Sequence, residues 1–154
     1  MSYPSKLLSF ENPVLCGYLT YSSILVVKMM MMSVLTGRQR KKHGVVGSPE
    51  DVVFFKDKKI QESHPDVDRV RRAHLNDLEN IPIFFLAGLG YLLTDPCPTM
   101  ALNVFRAFTL ARVAHTFVYA IYVIPQPARG LSWGIGFALT GFMAIKTILH
   151  FASF

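Results

Sequence analysis

Two sets of polar residues stand at helical spacing inside otherwise apolar sequence. In "RVRRAHLNDLENIPIFFLAGLGYLL", residues 69–93, Arg69, Arg72, Asn76 and Glu79 are 3, 4 and 3 residues apart. At about 100° per residue they occupy an arc of roughly 80° on a helix. In "ARVAHTFVY", residues 111–119, Arg112, His115 and Tyr119 are 3 and 4 residues apart and share one face. Arginine clamps carboxylates bidentately, and a carboxylate such as Glu79 accepts from an ammonium group. These residue types suit a small hydrophilic ligand that carries several carboxylates. Taken singly, Arg69 reads as part of a solvated, ion-paired helix end, and a lone helical histidine is as readily structural. Glu79 resists that reading, because it stands two residues before "IPIFFLAGLGYLL". An ionisable group at that depth must face a bundle interior or a wet cavity.

The elements that position these residues are long apolar helices. The chain has 154 residues, 51% of them hydrophobic and 17% charged, with a mean hydropathy of +0.34. A soluble domain carries about a quarter charged residues. Here the charges cluster, and long apolar stretches separate the clusters. That is the profile of a small all-α integral membrane protein, a four-helix bundle. A soluble all-α domain with buried helices is the alternative. Helices are expected over 12–42, 66–94, 98–123 and 127–152, in a single domain covering 1–154, with a polar loop over 43–65. The apolar part of the second helix, 81–93, is shorter than the roughly 20 residues a span needs. That helix must therefore run back through Asn76 and Arg72, so the charged residues form the inner half of a spanning helix. "TDPCPT" reads as a tight turn. "IPQPARG" ends the third helix, with Pro127 suited to the first turn of the fourth. The N-terminal stretch lacks the layout of a cleavable signal peptide, so the first helix is expected to insert as its own anchor.

The loop and its flanks carry Arg38, Arg40, Lys41, Lys42, Lys56, Lys58, Lys59, Arg69, Arg71 and Arg72, whereas the N-terminal tail has Lys6 alone. The positive-inside rule places that loop in the cytosol. This orientation gathers Arg40, the start of the second helix, Tyr119 and Arg129 around a cationic pocket open to the cytosol. Its apolar wall suits a second substrate that arrives through the bilayer. The net charge of +6 does not point to nucleic acid, since no basic motif is interleaved with aromatics. Topology and anionic lipid account for it. Cys16 and Cys97 both map to the far side of the membrane, either paired or, more simply, as buried thiols. No Cys/His spacing matches a zinc site, so no metal is expected.

The segment "RVRRAHLNDLENIPIF", with "VKMMMMS", "SPED", "ARVAHTFVY" and "PQPARGLSW", resembles the MAPEG family, membrane-associated enzymes of eicosanoid and glutathione metabolism. The resemblance covers nearly the whole chain. Leu75 and the "PQP" of 125–127 resemble the family's glutathione transferases more than its prostaglandin E synthases. The resemblance implies a homotrimer in the endoplasmic reticulum, or in the mitochondrial outer membrane, that binds glutathione between neighbouring subunits near the cytosolic face. It assigns glutathione contacts to Arg40, Arg72, Asn76, Glu79, Arg112, His115 and Tyr119, and, from other faces of the second helix, to Arg71 and His74. Arg129 matches the catalytic cation, and Asp51 a carboxylate that steadies it. Gly130 and Trp133 stand where the synthases carry Ser and Tyr, so no thiol-activating hydroxyl is available at those two positions. The implied activity is conjugation of glutathione to hydrophobic electrophiles, with peroxidase action on lipid hydroperoxides. The rival readings are a prostaglandin endoperoxide isomerase and a non-catalytic lipid-binding scaffold. Retention of the whole basic constellation argues against the scaffold.

Overall fold

A computed structural model describes residues 6–46, 48, 50, 52 and 64–152. Asp51 and the lysines at 56, 58 and 59 lie outside the described residues. Among the described residues, four long helices make up the bundle: α1 (Pro13–His43), α2 (Pro65–Leu93), α3 (Pro98–Thr116) and α4 (Ala128–Phe151). Local chemistry sets their ends. The Asn12 side chain accepts from the Val14 N–H at 2.9 Å and Pro13 takes the first helical position, where its missing N–H costs nothing. Gly44 ends α1 at φ 67° and returns its N–H to the Arg40 carbonyl. Arg40, Lys41, Lys42 and His43 fill the last turn of α1 and Asp66 and Asp68 the first turn of α2, each sign matching the helix dipole.

α2 runs unbroken from its charged start through its apolar end, with Pro82 inside it. α1, α3 with its extension to Ile121, and α4 are long and apolar enough to cross a membrane. At 29 residues, α2 matches them in length at 1.5 Å per residue, although its charges lower its hydropathy. The bundle is a square in which α1 packs on α2 and α3, α4 packs on the same two, and α2 and α3 lie diagonally opposite. Phe84 and Phe108 bridge that diagonal by stacking at 4.0 Å. α1 and α2 come close because Gly88 leaves room for the Tyr18 ring, which an added Cβ would approach to 3.1 Å. The Tyr18 hydroxyl donates to the Phe85 carbonyl at 2.8 Å. Small residues at such crossings let helices pack without a hydrophobic driving force between them. Most apolar side chains of α1 and α4, among them Val27, Met30, Leu131 and Ile148, face outward.

α3 does not remain α-helical to its end. From Phe117 to Ile121 it widens into a π turn, closed by the Tyr122 N–H donating to the Phe117 carbonyl at 2.8 Å. Pro127 stands just before α4 as its N-cap rather than inside its first turn. Cys16 and Cys97 are free, and both are exposed rather than buried as expected.

The bundle centre holds charge. Asp77 and Arg112 are fully buried, and Lys28 is nearly so. Arg112 Nη2 donates to Asp77 Oδ1 at 2.5 Å, and Lys28 Nζ pairs with Asp77 Oδ2. One carboxylate thereby ties α1, α2 and α3 together. The sequence pointed to Glu79 as facing either the bundle interior or a wet cavity; within the single subunit it is Asp77 that is interior, and Glu79 is exposed. The core-facing residues Val70, Ala73, Asp77, Ile81 and Phe84 define a stripe that Glu79 misses by roughly 150° at 100° per residue. Removing one partner from a buried ion pair costs about 3–5 kcal/mol, while an exposed substitution stays within about 0.5 kcal/mol. Asp77→Ala should therefore lower the melting temperature of the detergent-solubilised protein sharply, and Glu79→Ala should leave it nearly unchanged. Equal shifts would overturn this account of the core.

Candidate active site

The site grows outward from Arg112. Its stem lies against Gly136, where an added Cβ would sit 3.6 Å from Arg112 Cδ. Besides Asp77, Nη2 donates to Asn76 Oδ1 at 2.9 Å. Asn76 thus joins the buried charges to a cavity of about 320 Å³, whose wall also includes His115, Tyr119, Arg129 and Trp133. α3 carries Arg112 and His115 on its buried face. The π turn carries Tyr119, and such turns recur at functional sites. The rings of His115 and Tyr119 meet edge to face at 5.5 Å, and the Arg129 guanidinium lies 4.7 Å above the Tyr119 ring.

Arg129 stands in the first turn of α4, at the positive end of that helix's dipole. Gln126 holds this start in place by accepting the Gly130 N–H at 3.0 Å. Beside it, the Ser132 hydroxyl donates back to the Ala128 and Arg129 carbonyls, each at 3.0 Å. The hydroxyl nearest Arg129 in sequence is therefore already engaged with backbone. Among the described residues, Arg112 Nε and Nη1, His115 Nδ1 and Arg129 Nε are buried without a hydrogen-bond partner. Buried donors of this kind are rare unless something satisfies them. His115 and Arg129 stand in the cavity wall, and Arg112 adds its charge from behind Asn76.

The residues singled out in the sequence do not all meet at this cavity. Arg40, Arg71, Arg72 and His74 line a separate cleft of about 620 Å³ between α1 and α2, where Ser33, Thr36 and Gly37 supply the α1 wall. The two clefts share no lining residue. Arg72, Asn76 and Glu79 do share an arc, but that arc points away from the subunit's own core. Only Asn76, at its edge, reaches Arg112. Glu79 lines neither cleft, and Asp51 lies outside the described residues. Lys28 and Asp77 went unmarked in the sequence. Their signal was present, since Lys28 stands alone in "ILVVKMMMM" and Asp77 follows Ala73 by one helical turn.

Residues of metal-ligand type gather once among those described. His43, His64 and Asp66 place ligand atoms within 4.8 Å of one another. The two imidazoles stack face to face at 3.6 Å, so their in-plane lone pairs cannot converge on one ion without the rings turning apart. His64 Nδ1 already accepts the Asp66 N–H at 3.2 Å, and Arg69 holds the other Asp66 oxygen at 2.8 Å. The group joins the end of α1 to the start of α2.

Comparison with known proteins agrees with this architecture. The family model described as "MAPEG family" matches residues 18–149. Microsomal glutathione S-transferase 1 of Mus musculus is 42% identical over 142 residues, covering 90% of this chain and 91% of the relative. The protein of the same name from Homo sapiens is 41% identical with the same coverage. Prostaglandin E synthase of Homo sapiens is 32% identical over 145 residues, covering 94% and 95%. A four-helix fold, three of its helices apolar enough to span a bilayer, and a match over most of its length make this chain a member of the MAPEG family, and thus an integral membrane protein.

Proposed function

We propose that this protein is a membrane-bound glutathione transferase that joins the glutathione thiolate to hydrophobic electrophiles taken from the bilayer. The observation that carries the reading is the pair of unpartnered buried nitrogens on His115 and Arg129 in the wall of one cavity, with Arg112 behind them through Asn76. Glutathione brings two carboxylates and several carbonyls, the acceptors that this surface lacks. The relatives near 40% identity are named for the same activity.

Arg129 supplies the chemistry. A free thiol titrates near ~8.5, and a neighbouring cation favours its ionised form. The guanidinium and the helix dipole act together at the start of α4. The thiolate sulfur attacks an electrophilic carbon, and the leaving group departs with the bonding pair. With a lipid hydroperoxide the sulfur attacks the peroxide oxygen instead. A second glutathione then completes reduction, giving alcohol, water and glutathione disulfide. Asp51 is proposed to steady Arg129.

Arg40, Arg71, Arg72, His74 and Glu79 enter the same site through assembly. Three copies related by rotation would bring the α1–α2 cleft of one against the Arg129 cavity of the next, with glutathione between them. The outward apolar faces of α1 and α4 leave surface for lipid and for that packing. The protein is proposed to reside in the endoplasmic reticulum, or in the mitochondrial outer membrane, with the site facing the cytosol. Protease added to sealed microsomes should then cut near the lysines at 56–59. Protection of that loop would reverse the orientation.

The decisive substitution is Arg129→Leu. Loss of one cation acting in the transition state costs on the order of 3 kcal/mol, about a hundredfold in rate. Conjugation per folded protein, assayed with a model aryl halide, should fall by that factor. The thiolate absorbance of bound glutathione at neutral pH should fall with it. Arg129→Lys should be intermediate, because a point charge replaces a planar fork. Unchanged turnover of folded Arg129→Leu protein would refute the assignment.

A further inference from the structure

At the end of the bundle opposite the arginine-lined clefts lies another cleft, of about 380 Å³. Tyr91 and Thr94 at the end of α2, Cys97 and Met100 at the start of α3, and Lys146 and Leu149 on α4 form most of its wall. Its lining includes no Asp or Glu, and Asp95 in the adjacent turn does not line it.

Three features of this cleft call for negative charge. Lys146 is a full charge on an apolar spanning helix, and no carboxylate pairs with it among the described residues. The contact it does make is with the face of the Phe142 ring, at 6.0 Å. The other lysine inside a span, Lys28, has Asp77. The start of α3 is uncapped as well. Cys97 makes no side-chain bond to the helix and Pro98 has no N–H, so the positive end of a 19-residue helix borders the cleft without a side-chain cap from Cys97. Finally, Tyr91 is only 3% exposed. Its ring is held between Phe105 and Phe142, and its hydroxyl has no hydrogen-bond partner among the described residues. Tyr91 lines the cleft, so that hydroxyl is free to bond a ligand there.

An ammonium, a helix N-terminus and a phenol thus border one space, all of them able to donate to the same group. A phosphate or carboxylate oxygen fits them, by charge-assisted hydrogen bonding and by the known affinity of helix N-termini for anions. Met100 and Leu149 in the wall, with Ile145 and Ile148 exposed beside them on α4, continue the cleft as an apolar track suited to a hydrocarbon chain. We propose that this cleft is a binding site for an anionic acyl amphiphile, with its phosphate or carboxylate head on Lys146, Tyr91 and the start of α3. The site is independent of the proposed glutathione chemistry, which uses residues at the other end of the bundle.

The test is thermal-shift titration of the full-length, detergent-exchanged protein with four probes: dioleoyl phosphatidate, oleate, dioleoyl phosphatidylcholine and inorganic phosphate. Phosphatidate or oleate should raise the melting temperature saturably, while phosphatidylcholine and inorganic phosphate should not. A hydrogen bond to a charged group is worth about 1.5–3 kcal/mol, which corresponds to a roughly tenfold or greater change in affinity. Lys146→Met and Tyr91→Phe, which keep most of each side chain's packing, should each weaken the anionic amphiphile by at least about that factor. Lys146→Arg should restore binding, and Lys6→Met should leave it unchanged. Equal affinity for phosphatidylcholine would overturn the proposal. So would binding of inorganic phosphate as tightly as phosphatidate, or undiminished binding to both the Lys146→Met and Tyr91→Phe proteins.

Discussion

The carboxylate of Asp77 holds three helices at one point. A lone charge at this depth would be strongly disfavoured by desolvation, and each of Lys28, Asp77 and Arg112 is tolerable because the others are there. Two cations share one anion, so the centre keeps an excess positive charge. It also keeps nitrogens on Arg112 that Asp77 and Asn76 leave unsatisfied. A core built only for stability would have used packed apolar residues at these positions, at no loss. The arrangement makes sense as a rigid mount that holds Arg112 beside the candidate site.

Rigidity at the centre contrasts with irregular backbone at the rim. The π turn of Phe117–Ile121 and the short connection before α4 bring Tyr119 and Arg129 together. A straight continuation of α3 would carry Tyr119 to a different azimuth. The aromatic ring under the guanidinium restrains a long side chain without neutralising its charge. Gln126 and Ser132 occupy the backbone groups around Arg129, which leaves its Nε for a ligand.

The two ends of the bundle differ in how their charges are answered. Near the α1–α2 junction, Asp66 and Asp68 meet Arg69 and Arg71, and His43 stacks on His64. At the far end, no salt bridge holds Lys146 among the described residues, and the Cys97 side chain does not cap the start of α3. Positive charge in both places borders a cleft, and in both the neighbouring surface is apolar. An anionic, partly hydrophobic ligand has chemistry to match either setting.

Local chemistry made much of this protein legible in the sequence. Helix number and order, the turns, the clustered basic residues and the membrane setting follow from hydrophobic length, caps and charge placement, all of which act over a few residues. The blocks that resemble the family are likewise contiguous. The tertiary structure alone decided which of two nearby carboxylates is buried. Asp77 and Glu79 differ by about 200° around α2, and the sequence does not say which side meets α1 and α3. Of the two places the sequence allows a deep ionisable group, an interior or a wet cavity, the interior is taken by Asp77 with its partner Lys28, 49 positions away along the chain. It also took the packing to divide the polar arc of α2 between two clefts, because the line between inside and outside passes beside Asn76. Helical periodicity sets which residues share a face, and only the neighbours of that face determine what it meets.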